Sequence, residues 1–271
     1  MWDATAMGMR AGQSSSHDGS IRIIPLPGLP LFAAGDDLAA SIGDALARAQ
    51  LPLADGDVLV VAQKIVSKVE GRAVRLRDVE IGEPARQLAA ETGKAPAVAQ
   101  LILEESEAIM RAKPGLVIAR HRLGHVAANA GIDASNVAHE EGEMVLLWPV
   151  DPDASAARLQ QQLQAQFGVE IAVVISDSLG RAWRMGTAGT AIGIAGLAAL
   201  IDRRGETDLF GRVLQATLVA RADELAAAAS LVIGEAAEGK PVAIIRGATY
   251  IREGASGIGP MLRPRREDLF T

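Results

Sequence analysis

The 271-residue chain carries 27 Lys and Arg against 33 Asp and Glu, a net charge of −6 at pH 7, and is 49% apolar but only 3% aromatic. That balance lacks the basic excess that phosphate neutralisation requires, which argues against a non-specific DNA or RNA binder, and the apolar content argues against disorder. With no cysteine, disulfides, thiolate nucleophiles, Cys-ligated zinc and iron–sulfur clusters are excluded, and a reducing cytoplasm is the expected compartment.

At ~100–200 residues per domain the length allows one large domain or two small ones. Residues 1–20 read as a flexible leader without the continuous apolar stretch of a secretory signal. A strand is expected at Ile21–Ile24, halted by Pro25, Pro27 and Pro30. Asp36 and Asp37 then cap a helix that keeps Leu38, Ile42, Leu46 and Ala49 on one face. Val58–Val61 reads as a buried strand, and Pro84 opens a helix ended by Gly93. A third helix is expected from Pro96 to Ala112, with Val98, Leu101, Ile102 and Ile109 inward and Glu104, Glu105 and Glu107 outward. Leu116–Ile118 and His125–Ala127 read as strands joined through Arg122-Leu123-Gly124, and Met144–Trp148 as a further strand. Asp153 or Ser155 is the expected cap of a helix carrying Leu159, Leu163 and Phe167 and closed by Gly168. A strand at Ile171–Ile175 follows, then one at Leu214–Ala220, a helix over Asp223–Ile233 stopped by Gly234, and a strand at Val242–Ile245. The uncharged run Met185–Ile201 falls short of the ~20 apolar residues that span a bilayer, so no membrane partner is expected. The elements mix without strict βαβ alternation, which predicts a mixed α/β, α+β-like fold rather than a doubly wound parallel sheet.

Several segments bring chemistry-bearing side chains together. Ser176-Asp177-Ser178-Leu-Gly180-Arg181-Ala-Trp183-Arg184 follows a hydrophobic strand. Asp177 and Ser178 supply hard oxygens suited to magnesium or manganese. Arg181 and Arg184 are suited to clamping phosphate or carboxylate. The same pattern equally suits a strand ending in an Asp–Ser turn with surface arginines. Asp133 and Asn136 offer a carboxylate and an amide within small residues, or else an Asx turn. Gln63-Lys64-Ile-Val-Ser67-Lys68 places two compact cations and a hydroxyl after a buried strand, in a phosphate-binding stretch or a salt-bridged surface loop. Gly234-Glu-Ala-Ala-Glu-Gly239-Lys240 imitates a P-loop, but Pro241 stands where that motif needs Ser or Thr, and a helix precedes the loop instead of a strand. It serves as a plain helix-to-strand turn unless a metal on Glu235 offsets its acidity. His121 and His125 straddle a turn and read as structural or surface residues, and the basic tail Arg263–Arg266 reads as a solvated terminus.

Taken together, these segments with Gly28-Leu29-Pro30-Leu31, Gly56–Gly71, Leu103–Ser106, Asn129–Val137, Asp208–Arg212 and Ala222–Leu225 resemble the coenzyme F420-0:L-glutamate ligases, also called F420-0 gamma-glutamyl ligases. The resemblance implies a GTP-dependent enzyme that joins L-glutamate to the lactyl carboxylate of the deazaflavin precursor coenzyme F420-0 through an acyl phosphate. GDP and phosphate are released and further γ-linked glutamates are added. It implies two manganese or magnesium ions, assistance by potassium, and an intertwined homodimer. Carried over residue by residue, it makes Asp133 and Asp177 ligands of one metal, and Ser178 and Glu235 ligands of a second. Ser178 stands where relatives often have threonine, and Ala62-Gln63-Lys64 lacks a small hydroxyl that some relatives carry there. Gly28, Leu29, Pro30, Leu31, Gln63, Lys64, Lys68 and Asn136 fall at GTP positions, as do Gly234, Glu235, Ala236, Ala237 and Glu238. Asp177, Arg181 and Arg184 are the candidate catalytic residues, the arginines toward the acidic substrates. The expected organisation is a leader at 1–20, a ligase domain at 21–247 that is one unit or two interleaved subdomains, and a tail at 248–271, with no fused nitroreductase-like domain. The competing readings are a GTP- and metal-binding dimer without ligase activity and a metal-dependent phosphohydrolase.

Overall fold

A computed structural model describes residues 19–135, 143–252 and 257–268. In chain order the elements are β1 (Arg22–Pro25), α1 (Leu38–Arg48), β2 (Val58–Ala62), α2 (Gln63–Val69), β3 (Ala73–Arg75), α3 (Glu83–Thr92), α4 (Pro96–Glu104), β4 (Ser106–Lys113) and β5 (Leu116–His121). They continue with β6 (Val126–Ala128), β7 (Met144–Leu146), α5 (Pro152–Phe167), β8 (Ala172–Gly180), β9 (Thr187–Ala195), β10 (Ile201–Asp202), β11 (Leu218–Val219), α6 (Arg221–Ile233) and β12 (Val242–Arg246). Among these residues the fold is mixed α/β, as the sequence predicts.

The central sheet has the order β1-β12-β2-β8-β9, in which only β2 and β8 run parallel. The runs Val58–Val61, Ala172–Ile175 and Val242–Ile245 of its inner strands are apolar because both faces are covered there. Side chains alternate across the pleat, so Leu59 and Val61 of β2 join α1 and α5 in one core, while Val58 and Val60 pack with α6 in another. Small residues permit the close approach on the α6 side. A Cβ at Gly189 of β9 would lie 2.3 Å from the Ala226 carbonyl oxygen, and one at Gly193 would lie 2.4 Å from the Pro152 backbone. The outward N–H groups of this edge strand are capped by carboxylates, Ala191 donating to Asp223 and Ile194 to Asp153. A second region packs α3 and α4 on the three-stranded sheet β4-β5-β6, and β3 pairs with β7.

Several expectations are corrected. The helix begun at Pro96 ends at Glu104, and Ser106–Lys113 is a strand paired with β5. Ile109 still faces the core, because residues seven apart share a helix face while the strand turns the same residue inward. Glu105 is buried rather than outward. The cap of α5 is Asp151, whose side chain accepts from Ala154 N at 2.9 Å, because Pro152 takes the first helical position. The segment after β2 is the helix α2 rather than a loop, and the uncharged run after Met185 supplies β9. Asp177 and Ser178 lie within β8, which continues to Gly180, and the expected strand at Leu214–Ala220 is confined to Leu218–Val219. The basic tail Arg263–Arg266 is exposed as expected, while Arg265 pairs with Glu107 at 2.5 Å and Asp268 with Arg120 at 3.0 Å. No helix among the described residues is long and apolar enough to cross a membrane.

Candidate active site

β2 and β8, running parallel, place Gln63 and Asp177 just past the pair Ala62–Ser176, at one end of the sheet. A cavity of about 1100 Å³ opens there, walled by α2, β8, the α6–β12 loop, the segment Leu29–Ala34 and β3. Of the sequence candidates it gathers Leu29, Pro30, Leu31, Gln63, Lys64, Lys68, Asp177 and Ser178, together with Gly234 to Glu238. Helical spacing in α2 sets Lys64 and Lys68 on one face. Their charges oppose each other, and burial, assisted by Lys64, holds the Lys68 ammonium below its ordinary value.

Asp133 lies outside the cavity lining but is joined to it, its Oδ2 meeting Lys64 Nζ at 2.6 Å. Burial alone would raise the Asp133 carboxyl, yet the hydrogen bonds from Lys64 and Ser135 N and the Lys64 charge outweigh it and hold it low. Asp177 has the opposite balance. Burial pushes it up to about 6, against hydrogen bonds donated by Trp148 Nε1 to Oδ2 and by Ser178 N to Oδ1, with Asp133 adding repulsion. Asp177 is therefore a carboxylate whose charged form burial disfavours, near a second whose partner is a lysine.

Other candidates are placed elsewhere. Gly28 lies outside the lining, and its carbonyl accepts from Arg48. Arg181 and Arg184 also lie outside it, in the exposed turn between β8 and β9, where Trp183 has a φ of 63°. Asn136 falls outside the described residues, as do residues 1–18 of the expected leader. Among the described residues no three His, Asp or Glu groups are positioned to hold a metal ion. The donors that face the cavity, the Asp177 and Glu235 carboxylates and the Ser178 hydroxyl, nonetheless have the hard-oxygen chemistry of a magnesium or manganese site.

Sequence reading missed Trp148, read only as the end of an apolar strand. The signal was present, since a buried indole N–H needs an acceptor. It also missed the cluster behind it. His121 Nδ1 accepts from Leu123 N, so its Nε2 carries the proton and meets Glu105 Oε2 at 3.3 Å, where Arg72 and Arg122 converge. His125 is buried, which drives it down to about 4 and keeps it neutral.

Residues 28–247 match the family F420-0:Gamma-glutamyl ligase. The chain is 47% identical over 251 residues to the Coenzyme F420:L-glutamate ligase of Methanothermobacter thermautotrophicus, covering 92% of this chain and 98% of the relative. It is 41% identical over 242 residues to the protein of that name from Methanocaldococcus jannaschii (89% and 94% covered). For that of Archaeoglobus fulgidus the identity is 41% over 250 residues (92% and 96%). A match over this length places the chain in the F420-0:gamma-glutamyl ligase family, enzymes that form carbon–nitrogen bonds.

Proposed function

We propose that this chain joins L-glutamate to the carboxylate of coenzyme F420-0 as an amide, driven by GTP, and then extends it with γ-linked glutamates. The observation that carries the reading is the cavity that sets two lysines, the half-buried Asp177 carboxylate and the Gly234–Glu238 loop around one space, in a chain whose relatives bear the ligase name. A carboxylate is a poor electrophile, so its oxygen first attacks the γ-phosphorus of GTP, releasing GDP and leaving an acyl phosphate. The glutamate nitrogen then attacks the acyl carbon, phosphate departs and the amine proton passes to solvent. Phosphoryl transfer of this kind depends on positioning and charge neutralisation.

Lys64 and Lys68 supply positive charge to the phosphates, and the backbone of Gly234 to Glu238 closes the cavity over them. Asp177 and Ser178, with Asp133 and Glu235, would hold the divalent ions, manganese or magnesium. Bound there, such ions would supply positive charge to the phosphate oxygens. Arg181 and Arg184 are assigned to the acidic substrates from outside the cavity. Potassium assists, and the compartment is the cytoplasm.

A homodimer completes the reading. Leu209 (99% exposed), Phe210 (95%), Trp183 (88%) and Met185 (97%) leave apolar side chains bare in two segments, a surface that a second copy would cover.

The test is mass spectrometry of coenzyme F420-0 incubated with the protein, GTP, manganese and glutamate. Increments of one glutamyl residue that require GTP and vanish in Asp177→Ala support the ligase. GTP hydrolysis indifferent to glutamate replaces it with a phosphohydrolase, and GTP binding without turnover replaces it with a binding protein.

A further inference from the structure

Trp148 is the largest fully buried side chain among the described residues, and its only polar side-chain atom is committed to Asp177, Nε1 donating to Oδ2 at 2.8 Å. The other Asp177 oxygen accepts from the backbone N–H of the next residue, Ser178. The indole thus reaches this carboxylate from a distant part of the chain, 29 residues before it in sequence.

The ring itself is fixed from all sides. His121 lies against it with ring centroids 4.8 Å apart, and His125 meets it nearly edge-on at 5.6 Å. Glu105, buried beneath, anchors His121 Nε2 and the Arg72 guanidinium, and Arg72 Nε donates back to the Trp148 carbonyl at 2.8 Å. Gly131, two residues before Asp133, packs so closely that a Cβ there would lie 2.2 Å from Trp148 Cε2. One indole therefore touches the backbone leading to Asp133 and hydrogen-bonds the carboxylate of Asp177.

We infer that Trp148 is a positioning residue of the divalent-cation site. Its N–H fixes the rotation of the Asp177 carboxylate, and its ring holds the Asp133 segment at a set distance from it. The inference rests on the reading of Asp177 as a metal ligand. Donors that orient a liganding side chain characteristically change metal affinity by about 10–100-fold when removed.

The experiment is Mn²⁺ titration of the full chain, read by the electron paramagnetic resonance of free Mn²⁺, for wild type, Trp148→Phe and Asp177→Asn. Phenylalanine keeps most of the ring's packing and deletes the N–H. The expected result is an affinity about 10–100-fold weaker in Trp148→Phe, with a melting curve that stays cooperative, and loss of the site in Asp177→Asn.

A second measurement needs no substitution at Trp148. In the ¹⁵N–¹H spectrum of wild type, the Trp148 indole cross-peak is expected to shift on saturation with diamagnetic Mg²⁺ and to stay in place in Asp177→Asn. Wild-type Mn²⁺ affinity in folded Trp148→Phe overturns the inference, as does an indole cross-peak that ignores Mg²⁺ while Mg²⁺ binds. Equal Mn²⁺ binding by wild type and Asp177→Asn overturns the metal reading of Asp177 instead, and the inference with it.

Discussion

Replacing Asp177 by asparagine is expected to stabilise the metal-free protein while destroying its site. Burial raises this carboxyl from the ordinary 3.8 to about 6, despite hydrogen bonds from Trp148 and Ser178 and the Lys64 charge. At ~1.4 kcal/mol per unit, a shift of that size corresponds to roughly 3 kcal/mol. The folded chain holds this proton more tightly than the unfolded one. Between those two values the folded state therefore binds more protons, and stability falls as pH rises. The full cost is present above about pH 6 and absent below about pH 4. Asparagine keeps a carbonyl oxygen for the Trp148 N–H but loses the bond from Ser178 N, at about 1.5 kcal/mol. The net expectation is a variant about 1–2 kcal/mol more stable than wild type at pH 8 in EDTA, and about 1–2 kcal/mol less stable at pH 4. Urea unfolding across that range measures both ends. Saturating Mn²⁺, at 100 times its dissociation constant, would add about 2.7 kcal/mol to wild type alone and invert the ranking at pH 8. A variant no more stable than wild type at pH 8, or a difference that ignores pH, refutes the argument that burial strains this carboxylate.

Other perturbations address the rest of the cavity and the fold. Lys64→Met removes the cation at 2.6 Å from Asp133, so the Asp133 carboxyl, now held low, returns upward in a carbon-detected pH titration. The same variant is expected to raise the KM for GTP at least about tenfold, the effect of losing one charge-assisted hydrogen bond of ~1.5 kcal/mol. Gly189→Ala drives a methyl group to 2.3 Å from the Ala226 carbonyl and pushes α6 off β9. About 1–3 kcal/mol of destabilisation is expected from chemical unfolding, against little change for an alanine at Gly180, where nothing lies within 4 Å. Phe210→Glu places a charge on a side chain that is 95% exposed. It is expected to convert a dimer to a monomer in sedimentation velocity, and a monomeric wild type would refute the dimer reading.

The parts of the fold legible in sequence are those whose local signals agree with their packing. Asp37 caps α1 and accepts from Ala40 N, and Gly168 ends α5 at a φ of 68°. Val58–Val61 reads as buried because both faces of β2 are covered. Legibility fails where tertiary pairing overrides local pattern. Ser106–Lys113 shares an apolar spacing with the helix before it, and only the ladder to β5 decides for a strand. β9 carries glycines at positions 189 and 193 that weaken any strand signal, yet those glycines are what let α6 and Pro152 approach.

The site divides along the same line. Residues close in sequence, such as Gln63, Lys64 and Lys68 or Asp177 and Ser178, are recognisable as groups because the short helix α2 or one step of β8 keeps them together. What sequence could not supply was the charge balance among them, which depends on distance. The chain as a whole is acidic, yet the decisive local fact is that a single ammonium, Lys64, serves Asp133 directly and Asp177 through space. Burial raises Asp177 to about 6, and the Lys64 charge, already paired with Asp133, offsets that only in part. The indole of Trp148 answers the shortfall with a dipole rather than a charge. It donates to Asp177 Oδ2 from outside the cavity lining, so the carboxylate is partnered from behind while Asp177 itself still lines the cavity.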